Sequence, residues 1–256
     1  MTELTVGVPF AGDTRMLTQC VRSLLAQTHR DLRVLVVADG TPARLRVRDS
    51  RVHVYRLPEN RGSYFARAVA LAATDTTHHG VVDADDWVSP EWAETLLAAD
   101  GDAVQHGARW VERDGQEPHV QTWRHARRPL ATKLLHYSSH TGIYSTARLR
   151  DAGGYSPAYR VGYDSLLSAV LRLLGPVEVV DAPLYHRRLH PASLSHAPVT
   201  RIGSPERVKV RRELDAAYRK AYRLRSNPAR VREIVAALTP DHLWDEVRYH
   251  AERARR

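Results

Sequence analysis

Residues 32–40, LRVLVVADG, are apolar at almost every position and stop at an Asp-Gly pair. A strand with one solvated face alternates; a run without alternation is buried on both faces, which describes the interior of a parallel sheet covered by helices. The neighbouring segments agree. LTVGVPF (4–10) is a short β-branched run ending at Pro9, RVHVYRL (51–57) alternates as a further strand, and HGVVDADD (79–86) reads as a fourth. Between them, DTRMLTQCVRSLLAQT (13–28) sets Leu17, Cys20, Val21, Leu24 and Leu25 on one helical face behind Asp13 as N-cap. SYFARAVALAAT (63–74) is an Ala-rich helix, and SPEWAETLLAAD (89–100) opens with Ser89 as N-cap and Pro90 at the first helical position. This order of strands and helices predicts an α/β fold, a mostly parallel sheet sandwiched by helices.

With 256 residues the chain can build one large α/β domain, or one domain and an appendage. The single cysteine, Cys20, excludes an internal disulfide and fits a reducing compartment. The start, MTELTVGVPF, has no basic segment leading into an apolar one, and no apolar run approaches the ~20 residues of a membrane span. The expectation is a cytoplasmic protein whose membrane contact, if any, is peripheral. The net charge of +9 is uneven: residues 201–256 hold 15 Lys and Arg against 8 Asp and Glu, leaving +2 for the first 200. A basic end can meet nucleic acid, anionic lipid or an anionic substrate. Here the charges are interspersed with acids and apolar residues, as on a solvated helical surface, and no Cys/His cluster or RNA-binding aromatic signature accompanies them, so no nucleic-acid partner is expected. Within that end SPE, NPA and TPD each place a capping residue before Pro, predicting helices near 205–225, 228–238 and 240–254. Leu214, Ala217, Tyr218 and Ala221 give the first an apolar face for packing on the body. The expected domains are a body at 1–204 and a basic helical extension at 205–256, the latter a candidate for acceptor cover, homodimer contact or membrane surface.

In open parallel sheets ligands bind outside the carboxyl ends of the strands. Those ends carry Pro9 with Phe10, Asp39 with Gly40, and Asp83 through Asp86. Three acids within four positions repel one another, so a cation belongs among them. On a strand, Asp83 and Asp85 share a side and Asp86 faces away. Paired hard carboxylates suit Mg2+ or Mn2+, which keep coordination positions for phosphate oxygens. The competing reading has the acids cap the next helix and pair with arginines; Asp86 is assigned such a structural role.

At this point the chain resembles the family 2 glycosyltransferases of the GT-A nucleotide-sugar fold, over roughly residues 4–196. The resemblance rests on six pieces in order: VGVPFAGD, SLLAQTHRDLRVLVVADGT, ENRGSYFARAVALAAT, VVDADDWVSPEW, GGYSPAYRVGYDSLLSAVLRL and PLYHRRLHPASLS. It implies that Asp39 accepts from the base of a nucleotide-sugar donor, a UDP-sugar first among candidates. Pro9 and Phe10 would form the loop over that base, with Asn60, Gly62 and Arg67 nearby. Asp83 would meet the ribose or a metal, Asp85 would ligate Mn2+ or Mg2+, and His190 stands where some members place a third ligand. Asp164 would be the general base that takes the proton of the acceptor hydroxyl in an inverting transfer. Members usually carry Glu-Asp before that helix, and this chain has Tyr163-Asp164. Asp164 read alone also fits the N-cap of the helix it opens. His136, His140 and Trp110 are placed on the acceptor side. Two other classes compete: a sugar-1-phosphate nucleotidyltransferase, which needs a Gly-rich basic phosphate loop that PFAGDTRM lacks, and a non-catalytic nucleotide-sugar-binding protein.

Overall fold

The computed structural model describes residues 3–99, 101–113, 116–123, 125–135, 141–191, 193, 197 and 200–255. Its central sheet is built from β1 (Leu4–Phe10), β2 (Leu32–Asp39), β3 (Val52–Leu57), β4 (His78–Val81), β6 (Ala103–His106), β9 (Ile143–Ser145) and β10 (Glu178–Val180). The spatial order is β10-β6-β9-β4-β1-β2-β3. Every pairing is parallel except those of β9, which runs against β4 and β6. A smaller sheet, ordered β5-β11-β7-β8, is formed by β5 (Trp87–Val88), β7 (Ala108–Arg113), β8 (His119–Thr122) and β11 (Tyr185–Leu189).

Alternation along the central strands divides the core in two. Leu4, Val6, Val8 and Phe10 of β1, with Val34 and Val36 of β2, point to a layer that holds α1 (Thr14–Leu25) and α3 (Trp92–Leu97). Leu35 and Val37 point the other way, to α2 (Ser63–Ala73) and α5 (Tyr163–Leu173). Gly7 lies on that second side, where an added Cβ would sit 2.8 Å from the Cβ of Ala70, so glycine lets α2 lie close on the sheet. The short α4 (Thr146–Asp151) follows β9 directly, capped by Ser145. At the end of the chain α6 (Pro205–Arg223), α7 (Pro228–Ala236) and α8 (Asp241–Ala254) bury Val210, Leu214, Tyr218, Val231 and Val247 in the same core as α2 and α5. Ala217 of the expected packing face is half-buried.

The caps follow the sequence with two corrections. Asp13, Ser204 and Asn227 cap α1, α6 and α7 through their side chains. Ser89 does not cap α3: a turn at 90–91 intervenes, Glu91 takes the cap position, and the Ser89 hydroxyl meets His186 Nε2 at 3.0 Å. Thr239 does not cap α8 either, because Pro240 holds that position and Thr239 Oγ1 is drawn to Ser156 Oγ at 2.6 Å. A third correction concerns β4, which ends at Val81 instead of continuing to Asp86. Its ladder with β1 stops at Gly7 opposite Val81, Val82 N–H makes a last bond to Gly7 O, and the acids enter a turn closed by Asp86 N–H to Asp83 O at 3.0 Å. Among the described residues, no helix is long and apolar enough to cross a membrane.

Candidate active site

The carboxyl ends of β1, β2 and β4 open on a cavity of about 690 Å³, and the ten site residues expected from the sequence all contribute to its wall. Pro9 and Phe10 bring the first loop there, but Phe10 is 2% exposed and its ring belongs to the core. Asp39 is likewise 2% exposed. Its Oδ1 accepts from Arg61 N–H at 2.6 Å and its Oδ2 from Gly62 N–H at 2.8 Å, while Asn60 Nδ2 donates to its carbonyl. Burial pushes the Asp39 carboxyl up and these two N–H groups oppose that push. Gly40 makes the arrangement fit: its φ is +66°, and a Cβ there would lie 2.3 Å from Asn60 N. Asp39 therefore shapes the 60–62 loop as well as facing the cavity. Arg160, also in the cavity wall, holds the same loop through Asn60 Oδ1 and O.

In the turn after β4, Asp83, Asp85 and Asp86 each offer an oxygen, all within 4.8 Å of one another. Because the segment is a turn, Asp86 does not face away from the other two, as strand alternation implied. Protein cations meet part of the charge. Arg67, 5% exposed on α2, reaches Asp83 Oδ1 at 2.5 Å and also Ser63 Oγ at 3.5 Å, so it joins the acidic turn to the start of α2. Burial works against the Arg67 charge, and Asp83, followed by Tyr64, more than restores it. His190 Nε2 lies 2.9 Å from Asp85 Oδ2. Asp86 accepts from the Tyr185 hydroxyl at 2.7 Å and from Arg188 N–H at 2.8 Å, the structural part expected of it. Burial, and then the charges of Asp85 and Asp83, push the Asp86 carboxyl well above the usual range. Three carboxylates with oxygens this close are hard donors of the kind that fit a divalent cation.

Asp164 lines the same cavity. Gly162, with φ +77°, takes the N-cap of α5, so Asp164 sits at the second helical position and the capping reading is set aside. The Tyr64 hydroxyl donates to Asp164 Oδ1 at 3.0 Å and accepts from Asp164 N–H at 3.0 Å, fixing the carboxyl from α2. Tyr64 carried no signal in the sequence, being one aromatic among the apolar positions of its helix. Tyr185, Arg109 and Arg187 also line the cavity without having been singled out. Asp114-Gly115 between ARWVER and HVQT was a readable hairpin signal for the strands that carry Arg109. Trp110, expected on the acceptor side, is not in the wall of this cavity: it stacks on His186 at 6.4 Å, on the other face of β7 from Arg109. His136 and His140 lie outside the described residues.

The ends of β1 and β2, the acidic turn and the Asp164 carboxylate thus line one cavity. The sequence profile of glycosyl transferase family 2 matches residues 5–165, and the chain belongs to that family. It is 34% identical over 100 residues to the uncharacterized glycosyltransferase EpsJ of Bacillus subtilis (strain 168), covering 36% of this chain and 29% of EpsJ. It is 30% identical over 101 residues to glycosyltransferase GlyA of Streptococcus pneumoniae serotype 4 (strain ATCC BAA-334 / TIGR4), covering 37% of this chain and 14% of GlyA. The matched stretch thus spans less than a third of either relative. Among solved structures, S. aureus TarS 1-349 in complex with UDP-GlcNAc superposes with a TM-score of 0.64 at 21% identity, over 84% of this chain and 66% of that one. The fold is the GT-A type expected.

Proposed function

We propose that the protein moves a sugar from a nucleotide-diphosphate donor to an acceptor hydroxyl with inversion at the anomeric carbon. The observation that supports this reading is that Asp164 lines one cavity with Asp83, Asp85 and Asp86. Inversion needs a nucleophile on the face opposite the leaving group and a base to take its proton. The acceptor oxygen forms its bond to the anomeric carbon, its proton passes to the Asp164 carboxylate, and the bond from that carbon to the diphosphate oxygen breaks with its electron pair on the departing nucleotide. Asp39 and the 60–62 loop bind the base, and Tyr64 orients Asp164. Asp85, with Asp83 or His190 beside it, would hold Mg2+ or Mn2+, whose chemistry is to neutralise the diphosphate and so stabilise it as a leaving group. The TarS complexes with UDP-GlcNAc and with UDP favour a uridine donor. On this reading 1–204 is the catalytic body and 205–256 a helical extension packed on it.

Calorimetric titration of UDP tests the donor half. Affinity should fall at least about tenfold on chelation, and Asp85→Ala should reproduce that loss, the scale of a lost charge-assisted contact of about 1.5–3 kcal/mol. Equal affinity with and without metal removes Asp85 from the ligand set. Formation of a nucleotide-sugar from a sugar 1-phosphate and a nucleoside triphosphate would favour the nucleotidyltransferase reading instead.

A further inference from the structure

The 60–62 loop is gripped from the end of the chain as well as by Asp39. Asn60 and Gly62 line the cavity, and Arg61 between them does not. Arg61 gives its N–H to Asp39 Oδ1 at 2.6 Å, and its side chain leaves in another direction. The guanidinium lies over the Phe65 ring of α2 at 4.5 Å and reaches α8, where Nη2 meets Glu246 Oε2 at 2.5 Å. Nη1 stands 3.6 Å from Glu59 Oε1. Glu59 belongs to the same stretch of chain and cannot anchor it. Glu246 belongs to a helix that the core holds.

That hold has three parts. Val247 and Ala251 of α8 are buried in the core shared with α2 and α5. The Tyr55 hydroxyl of β3 meets His250 Nδ1 at 2.7 Å, and Arg255 Nε, just past α8, donates to Ala73 O at 3.3 Å. The helix is thus tied to β3 and α2, and Glu246 is a fixed point for Arg61. Arg160 ties Asn60 and Glu246 ties Arg61, so two separate parts of the chain fix the loop whose N–H groups Asp39 accepts. The side chains of Arg61 and Glu246 are 26% and 42% exposed, so their pair adds little to global stability. Its consequence is local. A loop ordered before the ligand arrives spares the ordering cost on binding.

Resting on the transferase reading above, we propose that the C-terminal extension takes part in donor binding: Glu246 of α8, through the Arg61 side chain, positions the loop that sets Asp39 against the donor's base. Arg61 and Glu246 are positioning residues, since neither lines the cavity. UDP is titrated calorimetrically into the full chain with Mg2+, and into Glu246→Gln. Long-range charge and positioning predict opposite signs here. Removing an acid should tighten an anionic nucleotide, whereas losing the hold on Arg61 should weaken it. The expected result is a weakening of about two- to fivefold, the scale of a partly exposed ion pair, with Tm within about 4 °C of the parent. Glu246→Arg, which sets two cations together, should weaken UDP further. In an Arg61→Ala background Glu246→Gln should have no further effect, because the two residues act through one contact. Unchanged or tighter UDP binding by Glu246→Gln, with a parent that binds UDP, overturns this inference alone, whether or not Tm falls. An equal weakening in both backgrounds also overturns it. A parent chain that binds no UDP refutes the transferase reading itself and takes this inference with it.

Discussion

Asp39→Asn tests two duties of one side chain, the hold on the 60–62 loop that the structure shows and the proposed bond to the donor's base. The carboxylate is buried and accepts two backbone N–H bonds, from Arg61 at 2.6 Å and from Gly62 at 2.8 Å. Asparagine keeps one acceptor oxygen and turns the other into an NH2 group that faces an N–H. A bond to a charged acceptor contributes about 1.5–3 kcal/mol, and an unpaired buried donor costs about 1–3 kcal/mol. Against this, the neutral amide avoids the burial cost that raises the Asp39 carboxyl. The net loss should be about 1–3 kcal/mol, which for a chain of this size lowers Tm by roughly 2–12 °C at about 2–4 °C per kcal/mol. UDP should bind at least about tenfold more weakly, since both the direct acceptor and the 60–62 loop are disturbed. Circular dichroism melting reads the first effect and calorimetry the second. An unchanged Tm refutes the loop-holding role, and unchanged UDP affinity removes Asp39 from the nucleotide site.

Two further outcomes follow from the buried groups. Burial lowers His79 to about 3 and His106 to about 4, from 6.5 in the unfolded chain. Folded-state values below the unfolded one mean stability that is present above pH 6.5 and lost as pH falls toward those values, at up to about 1.4 kcal/mol per pH unit for each ring. Urea unfolding at pH 7.5 and pH 5 checks this, and equal midpoints contradict it. Leu214→Ala in α6 should cost about 2–5 kcal/mol, because that side chain is fully buried in the core shared with α2 and α5. A melting temperature within a degree of the parent would show that α6 does not pack there.

Much of this was legible because period and punctuation are local. The apolar run at 34–38 reads as an inner parallel strand, and the strand ends mark Asp39, Asp83 and Asp85 before any geometry. What failed depended on distant partners. Strand alternation was extended to Asp86 although β4 loses its ladder partner at Val81, a fact that resides in β1. Ser89 and Thr239 had cap chemistry, but His186 and Ser156 engage their hydroxyls. Trp110 was assigned to a side that only the register between β7 and β11 decides. Tyr64 meets Asp164 across 100 positions of chain, a separation no motif spans. The sequence puts Arg67 near the 60–62 loop, and only the fold of α2 on the sheet brings its guanidinium to Asp83 as well.

The central claim is that Asp164 takes the acceptor's proton, and turnover of Asp164→Asn tests it most directly. Asparagine retains an oxygen for the Tyr64 hydroxyl and a position in the first turn of α5, so folding and UDP affinity should stay close to the parent. The amide cannot accept a proton at neutral pH, and general-base assistance typically contributes about 10²–10⁴-fold to rate. The account predicts a fall in UDP release from the UDP-sugar donor of at least about 10²-fold with UDP binding within a few-fold of the parent. Turnover within a few-fold of the parent, in a folded variant that binds UDP normally, would contradict it and assign the base to another residue.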